Sequence, residues 1–477
     1  MSALHELSAV ELARQLQNRE VSAREVMAAH LARIDEVNPG VNAIVTLTAE
    51  HAVKEAAQAD DRMAAGHEVG PLHGLPIAHK DTLPTAGVRT THGCAVFADH
   101  VPDHDHVMVA RERSAGAISV GKTNVPELGL GSHTFNPVFG PTRNPYDLRL
   151  SAGGSSGGAA AALAAGMVPI ADGSDTGGSL RNPASFCNIV ALRPTPGLVP
   201  SWPEPFAWSP LPVKGPMARS TDDLALLLSV VVGSDHRSPL THDTPAAAFT
   251  RPLGRSLRGV RIAWAPDFGG HVPLDRRVRD ALAPLRGVLT DLGCQVEEDA
   301  PNLTEADEVF RVMRAVQMEA SYGRLLDEHR DVLSPDAVWN IEEGRALSGV
   351  EVGRAEVART TLYHRMRAFF NRYDFLVAAV SQVPPFPVEL TYPDEVDGVP
   401  MGNYLEWMRS CSIISATGCP ALSVPAGFTD EGLPVGLQII GPSRADLRVL
   451  QVGHEVEAAV GAGARRPDLT LPETART

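Results

Sequence analysis

The side chains best suited to chemistry in this chain sit in two glycine-rich turns. The first is SAGGSSGGAAAALAAG, Ser151 to Gly166, where Ser155 and Ser156 stand between two glycine pairs. The second lies within DGSDTGGSLRNPASFC, Asp172 to Cys187, and ends on Ser179 after Thr176, Gly177 and Gly178. Glycine lets a backbone turn so that successive N–H groups point into one concavity. A serine at the end of such a turn can attack a carbonyl while those N–H groups hold the oxyanion. The chemistry implied is acyl transfer through a serine ester.

Other uses of the first turn fit less well. A P-loop needs a lysine and then Ser or Thr after its last glycine, and here alanines follow. The dinucleotide fingerprint fails on glycine spacing. A Gly/Ser linker has polar flanks, whereas this stretch runs into an alanine-rich helix start. Gly153–Gly157 does satisfy G-x-S-x-G, the nucleophile elbow of α/β-hydrolases. That alternative makes Ser155 the nucleophile of an esterase, with His454 as its histidine. The run DHVPDHDHV brings together Asp99, His100, Asp103, His104, Asp105 and His106. It lacks the spacing that puts ligands on one face and contains Pro102, so it reads as a solvated loop. No metal and no cofactor are expected. Read alone, Lys80 beside Asp81 is a surface lysine.

The block from Gly153 to Cys187 resembles the signature of the amidase signature family. GLPIAHKD resembles that family's catalytic-lysine strand, and GAISVGKTNVPELGLGSHTFNPVFGPTRNPYD its substrate-side loop. VKGPMARSTDDLALLL and PALSVPAGFTDEGLPVGLQIIGP resemble its later blocks. The likeness runs in order through roughly residues 5–460 and is weakest over about 300–410.

The resemblance implies a Ser–Ser–Lys triad. Ser179 is then the nucleophile, Ser155 the bridging serine after a cis peptide bond to Gly154, and Lys80 the base. The backbone N–H groups of Thr176, Gly177, Gly178 and Ser179 would line the oxyanion hole. Ser156 is expected to hydrogen-bond near Lys80 or the adjacent backbone. Asp175 and Arg181 are expected to support the nucleophile turn, the alternative being an ordinary charge pair on the surface. The loop Glu127–Asn136 faces the triad in the family, and here Leu128, Gly129, Leu130 and Phe135 would make an apolar, roomy wall.

The chemistry has a physical basis. A serine hydroxyl is a poor nucleophile unless a neighbour takes its proton. A lysine can take it only when neutral, which requires burial or nearby donors. The expected activity is hydrolysis of an amide, anilide or carbamate of an uncharged small substrate through an acyl-serine. A second reading is the glutamine-hydrolysing subunit of a tRNA-dependent amidotransferase, but Phe135 stands where that subunit's pattern has glutamate. A third is a non-catalytic binding protein on the same fold. Such a protein would be signalled by loss of a triad residue, and all three are present.

The elements that must position these residues alternate between strand and helix patterns. GLPIAHK, GAISVGKTN, GVRIAWAP, CQVEE, YDFLVAAV and PALSVPAGF read as strands. AAAALAAGMVPIA reads as a buried helix running into a strand, and DRRVRDALAPLRGVLTDLG as helical. Near the N-terminus, Ser8 and Ser22 each precede a glutamate by three residues, the capping-box pattern, and Asn38-Pro39 is expected to end the second helix. The alternation predicts an α/β fold with a central, mostly buried mixed sheet flanked by helices on both faces. One catalytic domain is expected over 1–462, with a helical region 1–65, a signature core 66–235 and a variable substrate-side region 300–410. A loosely packed tail follows at 463–477. The Pro-rich stretch VPSWPEPFAWSPLPVKGP reads as a linker or as a packed pocket rim.

Composition limits the partners. The net charge is −15, with 44% hydrophobic residues and 21% charged, which fits a soluble globular protein and disfavours nucleic-acid binding. The five cysteines form no C-x-x-C pair, no apolar run is long enough to span a bilayer, and no signal peptide is read at the N-terminus. The chain is thus expected to be cytoplasmic, away from membranes, and a monomer or homodimer acting on a small-molecule amide or carbamate.

Overall fold

The computed structural model describes residues 3–469. Its strands are β1 (Ile44–Leu47), β2 (Pro76–Lys80), β3 (Ile118–Thr123), β4 (Arg143–Asn144), β5 (Asp147–Ser151), β6 (Ile170–Asp175), β7 (Val190–Arg193) and β8 (Val213–Ala218). They continue with β9 (Arg261–Trp264), β10 (Gln295–Glu298), β11 (Phe375–Ala379), β12 (Glu395–Val396), β13 (Val399–Pro400), β14 (Ala421–Phe428) and β15 (Pro434–Ile440). Eleven of them form one sheet in the order β1-β3-β2-β6-β8-β7-β14-β15-β11-β9-β10. β2 runs parallel to β3 and β6, whereas β6, β8, β7, β14 and β15 are successively antiparallel. The sheet is therefore mixed.

Both faces of the sheet are covered, and the strand alternation shows it. Phe375, Val377 and Ala379 of β11 join one apolar core, while Leu376 and Ala378 join another. The first core takes in the N-terminal helices and the helices Gly157–Ala164, Thr221–Val231 and Asp446–Val460. The second is closed by Ala306–His329, Gly349–Phe369 and Arg409–Thr417, the first two of which belong to the region of weakest sequence likeness. This is the expected α/β architecture.

Several local expectations change. The helix Ala23–Val41 runs past Pro39 and ends where Asn42 takes a left-handed conformation. Proline there removes only one of the last turn's bonds, so the end is set by Asn42. The Ser22–Glu25 capping box is complete, whereas Ser8 accepts from Glu11 N–H without the reciprocal bond. The helical region 1–65 also contains β1, which pairs with β3. The pattern over 275–293 is two helices, Arg276–Leu282 and Leu285–Asp291, divided at Pro284. The Pro-rich stretch is no linker: Leu211 is buried and Trp202 C=O accepts from Val107 N–H. Of the tail, Arg465 lies 4.1 Å over the Phe428 ring and Leu469 is buried; residues 470–477 lie outside the described residues.

Candidate active site

β2 and β6 pair through Ile77–Ile170 and Ala78–Ala171 and then part. Beyond that point the Lys80 N–H is donated to the Asp172 side chain, at 2.6 Å. The Lys80 side chain, wholly buried, enters the gap. Its Nζ lies 2.7 Å from Ser155 Oγ, 2.9 Å from Ser156 Oγ and 2.9 Å from Ser174 Oγ. A neutral amine has two N–H donors and one lone pair, which matches three hydroxyl partners when Ser155 O–H donates to it. Burial, with the nearby Lys214 charge, lowers the Lys80 amine to about 7.

The two glycine turns meet at the lysine. The hairpin β4–β5 delivers the first turn, the Gly154–Ser155 peptide is cis, and the helix Gly157–Ala164 follows. Ser156 N–H donates to Ser179 C=O at 3.0 Å, tying the first turn to the second. Close approach explains the glycines here: a Cβ on Gly154 would lie 2.9 Å from the His133 backbone, and one on Gly157 2.3 Å from Thr134 Oγ1. Ser179 Oγ makes no hydrogen bond among the described residues.

Asp175 braces the second turn. Its carboxylate accepts from Gly178 N–H at 2.9 Å, Leu180 N–H at 3.2 Å, Arg181 Nε and Nη2 at 3.0 and 2.9 Å, and Arg193 Nη1 at 3.1 Å. All three side chains are fully buried, which rules out a surface charge pair. Burial opposes the Asp175 charge, but the two guanidinium groups outweigh it and hold the carboxyl far below its usual range. Arg181 extends the brace to Ser415, Gln438 and the Cys411 carbonyl.

This brace corrects one expectation. The Gly178 N–H is spent on Asp175, because a buried carboxylate draws the nearest donors. Thr176, Gly177 and Ser179 N–H have no acceptor among the described residues and remain available to an oxyanion. A Cβ on Gly177 would lie 2.5 Å from Phe310 Cζ and 2.7 Å from Met408 Cε, so these side chains roof the turn.

The substrate-side loop divides. Leu130 and Phe135 line a cavity of about 260 Å³ together with Glu127, Asp336, Tyr392, Tyr404 and Trp407. Leu128, in a left-handed conformation (φ 51°), does not line that cavity, although it shares an apolar cluster with Leu130, Cys94 and Leu326. Gly129 faces the serines: a Cβ there would lie 3.8 Å from Ser155 Oγ. Lys80, Ser155 and Ser179 do not line this cavity; Ser132 on its wall accepts from Asn182, three residues after Ser179.

The elbow alternative fails on geometry. His454 lies on the helix Asp446–Val460 with Nδ1 3.1 Å from Thr221 Oγ1, while Ser155 is partnered by Lys80. The histidine-rich loop does not converge either. His106 Nδ1 caps the helix Val107–Ser114 by accepting from Met108 N–H, and His104 pairs with Asp103 at the surface. Sequence reasoning missed Ser174, Arg193, Lys214 and the buried trio His79, Glu112 and Asp172. The alternation of β6 carried a signal for Asp172 and Ser174, which stand two apart on one side of a strand leading to the nucleophile turn.

The structure is thus an α/β protein with a mixed sheet in which two serine turns meet at a buried lysine. A family model described as Amidase matches residues 25–450. An acylamidase of Rhodococcus erythropolis is 36% identical over 97% of this chain and 98% of its own. The glutamyl-tRNA(Gln) amidotransferase of Azotobacter vinelandii has an A-type subunit that is also 36% identical, over 98% of this chain and 100% of its own. The crystal structure of a bacterial aryl acylamidase of the amidase signature family superposes with a TM-score of 0.89 at 30% identity, covering 98% of this chain and all of that one. The chain belongs to the amidase signature family. Among the described residues, no helix is long and apolar enough to cross a membrane.

Proposed function

We propose that this protein hydrolyses the carbon–nitrogen bond of a small uncharged amide, anilide or carbamate, with Ser179 as nucleophile, Ser155 as relay and Lys80 as base. The observation that carries the reading is the buried Lys80 amine, lowered to about 7, on Ser155 Oγ at 2.7 Å. Ser179 Oγ attacks the carbonyl carbon while its proton passes through Ser155 to Lys80. The oxyanion is held by Thr176, Gly177 and Ser179 N–H. As the C–N bond breaks, the Lys80 ammonium returns the proton through Ser155 to the leaving nitrogen. Water then attacks the acyl-serine, giving its proton to Lys80 by the same relay, and the proton returns to Ser179 Oγ as the acid leaves.

The cavity supports an uncharged, ring-bearing substrate. Leu130, Phe135, Tyr392, Tyr404 and Trp407 supply flat apolar walls, and its carboxylates belong to Glu127 and Asp336. Among the described residues neither Lys nor Arg lines it, so a carboxylate on the substrate would meet like charge. The similarity to the glutamine-hydrolysing subunits of amidotransferases favours glutaminase duty as a second reading. The absence of a lining cation and the presence of Phe135 weigh against it. A panel of acyl anilides, alkyl amides, carbamates, esters and glutamine tests the choice. Anilide or carbamate turnover that Ser179→Ala abolishes is expected; turnover of glutamine alone, with co-purification of a second protein, would refute the proposal.

A further inference from the structure

Behind Lys80 lies a cluster of three titratable side chains that the hydrolytic cycle does not use. His79 on β2, Glu112 on the helix Val107–Ser114 and Asp172 on β6 are buried, with ligand atoms all within 4.8 Å of one another. Asp172 divides its carboxylate: Oδ1 accepts the Lys80 N–H at 2.6 Å, and Oδ2 accepts His79 Nδ1–H at 2.6 Å. Glu112 Oε2 stands 3.4 Å from the same Nδ1, and neither Glu112 oxygen accepts a hydrogen bond. A buried carboxylate without donors is costly, so a protonated Glu112 beside a charged imidazole is the low-energy arrangement. Burial, then the Asp172 charge, raises the Glu112 carboxyl. Burial opposes the His79 charge, but Asp172 and Glu112 outweigh it and raise the imidazole. One imidazolium, one carboxylate and one neutral acid leave the trio with no net charge.

We propose that His79, Glu112 and Asp172 form a positioning unit for Lys80. Asp172 replaces the strand ladder where β2 and β6 part and so fixes the lysine's backbone, while the His79 charge offsets Asp172 and keeps it from holding Lys80 as an ammonium. The inference rests on Lys80 being the base. Other charges facing these groups are Lys214 from β8, ion-paired with Glu204, and Asp175 from β6, paired with Arg181 and Arg193, near Lys80, and Lys122 from β3, near Asp81 and Asp172. Lys214 opposes an ammonium at Lys80, and Asp172 and Asp175 favour it. His79, in direct contact with Asp172 at 2.6 Å, and the more distant Lys122 both offset the Asp172 charge that Lys80 feels.

The test is the pH dependence of covalent labelling of Ser179 by a fluorophosphonate, which needs no knowledge of the substrate. Removing the imidazolium leaves Asp172 unbalanced, so His79→Gln moves the acidic limb to higher pH by about one unit, a roughly tenfold slower labelling on the limb. Asp172→Asn moves the limb to lower pH, and the double variant returns it toward the parent. A purely structural role would slow labelling without moving the limb, and that result overturns the inference. If Lys80→Ala labels like the parent with the same limb, the base assignment itself fails. A limb that vanishes in Lys80→Ala yet ignores both substitutions overturns the positioning unit alone. Should the variants not fold, ¹⁵N-histidine NMR of the parent protein decides: an imidazolium at His79 at neutral pH is expected, and a neutral ring refutes. Stoichiometric metal in the purified protein would also refute, since it would make the trio a ligand set.

Discussion

Asp175→Asn is the most direct probe of what holds the nucleophile turn. The substitution keeps the side chain's shape and removes its charge. In the parent, Oδ1 takes donors from Gly178, Arg181 and Arg193, and Oδ2 takes donors from Leu180 and Arg181. An amide nitrogen in either position therefore faces at least two donors and can accept from neither. Two buried guanidinium groups also lose their only carboxylate in this network. Breaking a buried ion pair from one side costs about 3–5 kcal/mol, against a whole-domain stability of about 5–15 kcal/mol. The sign with pH follows from the depressed carboxyl: its contribution is complete above the ordinary carboxylate range and is lost only as pH falls through the folded value. The penalty should thus be equal at pH 6 and pH 8. Urea unfolding followed by tryptophan fluorescence measures it, and fluorophosphonate labelling of Ser179 reports the turn. A variant within about 1 kcal/mol of the parent that still labels at the parent's rate would refute the account of the turn.

Three further outcomes are expected. Because Lys80 acts only when neutral and is lowered to about 7, kcat/KM should rise about tenfold per pH unit below 7 and level off above about 8; a flat profile between pH 5 and 8 counts against a lysine base. Lys80→Ala should abolish turnover while His454→Ala leaves it intact, and the reverse result would restore the Ser–His reading. Gly177→Ala puts a methyl 2.5 Å from Phe310 Cζ, so the turn or its roof must shift, and acylation should slow on the order of 100-fold; parent-like kinetics would show that the roof yields freely.

The fold was legible wherever one strand or helix carries a clean period. The buried runs at Pro76–Lys80, Ile118–Thr123 and Ala421–Phe428 are strands, as their apolar patterns predict. Failures came where a single residue type was made to decide a boundary. Proline was expected to stop a helix at Asn38–Pro39 and did not, yet at Pro284 it divides a pattern that reads as continuous. Both follow from position: in a last turn the missing donor matters little, whereas inside a helix it breaks the ladder.

At the site, motif spacing reached what is local to each turn. Ser155, Ser179 and Lys80 are brought within one hydrogen-bonded cluster of turns, and Ser156 Oγ lies 2.9 Å from Lys80 Nζ. What spacing could not reach is what the sheet order supplies. Lys80, Asp172 and Lys214 come from three strands, of which β2 and β6 are neighbours although some ninety residues separate His79 and Asp172 in the chain. Arg193 reaches Asp175 although β8 lies between their strands. The lysine's pKa is lowered by burial first and by Lys214 second, and both are properties of the sheet's interior. Transplanting the two serine turns and a lysine into another scaffold would therefore reproduce the motif without the base. The parting of β2 from β6, with Asp172 taking the backbone donor left free, is the feature that lets the Lys80 side chain enter the gap and reach its hydroxyl partners.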